Sequence, residues 1–163
     1  MRQVGRWAMA SGMSLGMALL VGLPVQAAEE IFFRYGLVER SVRTSSLETL
    51  IETGQLTDDL ASYVNLVGLN EAEIEQLRQN LDRPLEVDGV LLSRFLYSNL
   101  GEELLEQVGA ILQTRVGDNG KLALRAALIQ AATSPEGLSA INVVRSLPTD
   151  MQINVRDALA VAD

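Results

Sequence analysis

Between Gly120 and Thr133 the chain reads GKLALRAALIQAAT, its most continuously apolar stretch outside the first 30 residues. Leu122, Leu124, Leu128 and Ile129 supply bulk, while Ala123, Ala126, Ala127, Ala131 and Ala132 keep the backbone thin. Only Lys121, Arg125 and Gln130 interrupt. A helix that is apolar over most of its circumference needs neighbours on most sides. The stretch therefore predicts a central helix buried on three sides, with the remaining segments packed around it. Lys121 and Arg125 lie four residues apart on one narrow polar face, and a cation in the middle of such a helix must reach a carboxylate or snorkel to solvent.

The 163 residues contain no histidine and no cysteine. Ser-His-acid and Cys-His catalysis, thiolate and most transition-metal sites, and disulfides are thereby excluded within them. With 21 acidic residues against 13 basic ones, the formal charge of -8 disfavours nucleic acid and anionic membrane surfaces as partners. The length suits one domain of ordinary size.

Residues 1–27 have the three parts of a secretory signal peptide. Arg2 and Arg6 form the basic start, Trp7 to Leu23 the apolar run, and Val25-Gln26-Ala27 the small-residue cleavage pattern. The expectation is export to a periplasm, another extracytoplasmic lumen or the medium. A retained N-terminal anchor is the other reading, and no stable membrane insertion is expected after leader cleavage. The domain itself spans 30–156, and 157–163 form a short tail.

Within that domain the pattern predicts a mainly α fold, a multi-helix domain with a small β ribbon built from the N-terminal segment and a C-terminal strand. Ile31 to Tyr35 and Leu37 to Val42 are rich in aromatic and branched residues on either side of Gly36, and read as the ribbon. Met151 to Val155 alternates and supplies its third strand. Ser45 with Glu48, and Asn70 with Glu73, have capping-box spacing, and Thr57 or Asp58 caps a helix between them. Further helices are expected after Asp88-Gly89, over Glu102 to Thr114 following a break at Asn99 to Gly101, and after Ser134-Pro135 through Leu138, Ile141, Val144 and Leu147. Asp118 or Asn119 would cap the central helix.

The polar residues offer little chemistry. Gly117-Asp118-Asn119-Gly120-Lys121 lacks the spacing and the Ser or Thr of a phosphate loop, and lacks the ligands of a calcium loop. Glu102/Glu106 and Glu71/Glu75 are each one helical turn apart, as paired carboxylates could be, but lie opposite apolar stripes and read as solvated faces. No catalytic, cofactor or metal residues are expected. Arg125, Lys121, Arg94 and Tyr97 are the candidates for partner or anion contact.

The succession FFRYG, SLETLIETGQL, LLSRFLYSNLGEELLEQVG, GKLALRAALIQAA, SPEGLSAINVVRSLP and MQINV resembles a domain of unknown function found mainly in cyanobacteria. In longer relatives that domain follows a signal peptide and precedes an alpha/beta-hydrolase domain. The resemblance implies an accessory role, shaping or covering a hydrolase active site or docking it to a partner. A protein partner, in particular a hydrolase domain, is the leading expectation. A small apolar-ligand or lipid carrier with a pocket lined by Phe32, Leu92, Phe95 and Leu128 is the alternative, and hydrolase activity in these residues is not expected.

Overall fold

The computed structural model describes residues 27–115, 120–155 and 157. The leader, the Asp118/Asn119 cap and most of the C-terminal tail lie outside the described residues. Strands β1 (Glu30–Tyr35) and β2 (Val38–Arg43) pair antiparallel from Glu30↔Arg43 to Tyr35↔Val38. Gly36, with φ +60°, starts their two-residue turn, where a side chain would be strained. Met151 to Asn154 joins as expected, as strand β4, running parallel to β1 with Ile31 opposite Met151.

The sheet has a fourth strand that the sequence pattern does not predict. Leu112–Thr114 (β3) was expected as the end of a helix but leaves it to pair antiparallel with β4, giving the order β2-β1-β4-β3. Gly120 provides the steric reason for the close fit there. A Cβ on it would lie 1.9 Å from the Leu112 carbonyl oxygen, so only glycine lets the next helix start against this strand.

Residues directly opposite one another in a ladder share a face of the sheet. Ile31, Val42 and Met151 therefore share one face, and all three are buried. The opposite face carries Phe32, Ser41, Gln113 and Gln152. There Arg115 stacks over Phe32 at 3.8 Å and pairs with Glu39 at 3.1 Å, so the ring is capped by a cation rather than by a helix.

Helices α1 (Thr44–Thr53), α2 (Asp58–Val67) and α3 (Glu71–Asp82) follow the hairpin. They enclose a first core of Val42, Leu50, Leu60 and Val64, with Phe33, Tyr63, Ile74 and Leu77 around it. Asn70 and Glu73 form the expected capping box on α3. The box expected at Ser45 and Glu48 does not form. Helix α1 starts two residues earlier with Arg43 at its N-cap, and Glu48 instead accepts from Arg145 at 2.7 Å.

Helices α4 (Gly89–Leu96), α5 (Asn99–Ile111), α6 (Gly120–Thr133) and α7 (Ala140–Arg145) complete the described elements. Asn99 to Gly101 is the first turn of α5 rather than a break, because Ser98 accepts from the Gly101 N–H and caps it. A Cβ at Gly101 would lie 2.0 Å from the Phe95 carbonyl oxygen, which is how closely α5 starts against the end of α4. Helix α7, by contrast, is capped later than expected, by Ser139 rather than Ser134. Ser134 to Gly137 form a turn, and the freed Leu138 pairs its carbonyl with the Leu85 N–H at 2.8 Å.

Helix α6 packs against α4, α5, α7 and β3, consistent with its expected central place. Its buried side is small rather than bulky: Ala123, Ala127 and Ala131 are buried, while Leu122 is exposed. The alanines let Leu147, Met151 and Ala28 close in, and these form a second core. The two cores meet the same sheet face, at Met151 in one and at Val42 and Phe33 in the other.

Candidate functional site

Arg125 ends up where the sequence demands a partner and finds one. It is only 7% exposed, it is ion-paired with Glu102 on α5, and its guanidinium carbon lies 4.6 Å from the centre of the Tyr97 ring. Its Nε has no hydrogen-bond partner. Lys121, one turn earlier, donates to Glu102 at 3.0 Å and to Glu106 at 2.8 Å. The carboxylates read from the sequence as a solvated face thus brace α5 to α6. The hydrogen bond from Lys121 leads in lowering the Glu102 carboxyl below its usual range, against partial desolvation and with help from Arg125. Glu106, then Glu102, raise the Lys121 ammonium in turn. Two cations and two carboxylates neutralise one another, so the cluster has no spare charge to offer a free anion.

Tyr97 and Arg94 lie at the surface next to this brace. Stepping 100° per residue along α4 puts Val90, Arg94, Leu91 and Phe95 on one arc, and all four are exposed. Leu96 faces the other way and is buried. Leu100, 71% exposed, and Leu104 sit one turn apart on α5. The expected apolar stripe Leu91-Leu92-Phe95-Leu96 is therefore split, with Leu96 turned inward and Leu91 and Phe95 turned outward. Of the four candidates, the structure brings Arg125 and Lys121 together through Glu102 and adds Tyr97 by stacking. Arg94 joins none of these pairs and stands in the apolar arc.

The Glu71/Glu75 pair does not act as a pair. Glu75 is engaged by Arg78 at 2.8 Å and by Gln79, which together hold its carboxyl down to about 2.

Two features were not found from sequence. Asp59 accepts hydrogen bonds from Ser46, Thr57 and the Arg43 backbone N–H, fastening the start of α2 to the start of α1. Burial by itself would raise this carboxyl, but Thr57, Arg43 and Ser46 outweigh it and hold it far below the usual range. Three donors on different turns cannot be read as a set before the chain is folded.

The other feature is an apolar cavity of about 250 Å³ lined by Phe33, Val38, Arg40, Tyr63, Leu66, Val67 and Val155. The Phe33 and Tyr63 ring centres are 4.6 Å apart at its base, and burial pushes the Tyr63 phenol up. This is not the pocket expected around Phe32, Leu92, Phe95 and Leu128. Strand alternation puts Phe32 on the opposite face of the sheet from Phe33, and Phe95 faces solvent. Leu66 and Val67 extend past the buried Leu60/Val64 stripe of α2, the one local hint of an unfilled apolar surface.

Among the described residues no helix is long and apolar enough to cross a membrane, and no three His, Cys, Asp or Glu side chains stand together as metal ligands would. Searches of curated proteins and of solved structures give no match. Residues 27–154 match one family over nearly the whole described region, and the chain belongs to that family, described as "Alpha/beta hydrolase of unknown function (DUF1400)".

Proposed function

We propose that this chain is an exported, noncatalytic helical accessory domain that binds an alpha/beta-hydrolase partner through the exposed face of α4 and α5. One observation carries the reading. Val90, Leu91, Phe95, Leu100 and Leu104 stand exposed on two adjoining helices, with Tyr97 between them, and these six are nearly half of the thirteen large apolar side chains exposed among the described residues. Apolar surface concentrated in this way marks interaction sites, and aromatic side chains with an arginine nearby are the residue types that anchor them. The ion-paired brace behind Tyr97 holds that ring in place without offering free charge.

The hydrolase identity of the partner rests on the family's description, and the noncatalytic role on the absence of histidine and cysteine from the 163 residues. Export rests on residues 1–27, and mass measurement of the mature protein should find Ala28 at its N-terminus. Affinity capture from an extract of the source cells is the test, with each recovered protein identified by mass spectrometry. The reading expects enrichment of a protein carrying an alpha/beta-hydrolase domain, and no turnover of p-nitrophenyl esters by the purified chain alone. Turnover by the pure chain, or capture that never enriches a hydrolase, would overturn it.

A further inference from the structure

The cavity against the hairpin is independent of the α4/α5 face, and its lining is chemically lopsided. Phe33, Val38, Tyr63, Leu66, Val67 and Val155 enclose it, and Arg40 is its one charged residue. Arg40 lies on β2 opposite Phe33, on the helix-covered side of the sheet, so its stem runs along the apolar wall. Six other cations, Arg43, Arg78, Arg115, Lys121, Arg125 and Arg145, each have a carboxylate partner. Among the described residues no carboxylate pairs with Arg40, a state it shares with Arg34, Arg83 and Arg94, and of these four Arg40 alone lines the cavity.

An apolar cavity with one uncompensated cation at its rim is complementary to a molecule with an apolar tail and a single negative head. Leu66, Val67 and Val38 are more than half exposed where they line it, so the groove presents apolar surface that a tail would cover. At about 30 Å³ per methylene, similar to the share of a water molecule, 250 Å³ holds about eight methylenes. We infer that this groove binds the acyl chain of a medium-length fatty acid, with Arg40 receiving the carboxylate.

Titration calorimetry of the intact chain with decanoate, kept below its micelle concentration, tests this. Saturable binding is expected, weakening about fourfold for each methylene removed toward hexanoate. Arg40→Gln should weaken decanoate about tenfold, the loss of one charge-assisted contact, while leaving decan-1-ol unchanged. Leu66→Asp should abolish binding of both, and because Leu66 is 63% exposed its circular dichroism spectrum should stay that of the parent. Failure of the intact chain to bind decanoate overturns the assignment, whether a second copy or the residues after Val155 take the groove instead. Equal decanoate affinity in the parent and Arg40→Gln overturns it as well.

Discussion

Arg125 on α6 and Glu102 on α5 form an ion pair whose two ends are unequally buried: the arginine side chain is nearly enclosed, while the glutamate keeps about a third of its surface. Removing Glu102 strands a buried cation, whereas removing both partners leaves two apolar surfaces to close. Breaking a buried pair on one side is strongly destabilising, and Glu102→Leu should lower the midpoint of urea unfolding, by less than in a fully enclosed pair because Glu102 is partly exposed and Tyr97 still stacks on the arginine. Arg125→Met combined with Glu102→Leu should recover part of that loss. Urea unfolding of the two single variants and the double variant reads the coupling, and strictly additive losses would contradict it.

Gly101 stands in the first turn of α5 and Gly120 opens α6, helical positions where alanine is ordinarily better tolerated than glycine, by up to about 1 kcal/mol. Here the sign should reverse. A Cβ at either position would meet a backbone carbonyl oxygen, of Phe95 or of Leu112, at 2.0 and 1.9 Å. Gly101→Ala and Gly120→Ala should each destabilise by about 2 kcal/mol or more, since backbone must move. Thermal unfolding that finds either variant as stable as the parent would show that the elements do not approach so closely.

Asp59 sets the acid limit of the α1–α2 junction. Its carboxyl is held below its unfolded value by the donors around it, so its contribution is fully present above that unfolded value, near pH 3.9. The contribution is lost as pH falls from there toward the folded value. Asp59→Asn should flatten the fall in stability below about pH 4 measured by urea unfolding across pH. Asp59→Ala at neutral pH leaves the buried Ser46 hydroxyl without its acceptor and should cost about 1–3 kcal/mol.

Local patterns in the chain proved readable where one element suffices to specify them. The hairpin at Gly36, the capping box of Asn70 and Glu73, strand β4, and the need of Arg125 for a carboxylate all follow from short spacings. Features set by packing between elements were not legible. Leu112 to Thr114 continues a helical pattern, and only pairing with β4 draws it into the sheet. Leu91 and Phe95 look like core residues until the orientation of α4 against α5 and α6 is known. The cavity could not be seen because the faces of Phe32 and Phe33 are decided by register, and a slip of one residue exchanges them.

Partner binding through the α4/α5 face is tested most directly by calorimetry of the intact chain against the purified hydrolase it captures. Leu91→Glu and Leu104→Glu replace exposed leucines, so neither should alter the fold. Saturable binding by the parent and a weakening of tenfold or more in each variant, about 1.4 kcal/mol or greater, is the expected result. Binding that is equally tight in the parent and both variants would contradict the assignment of this face.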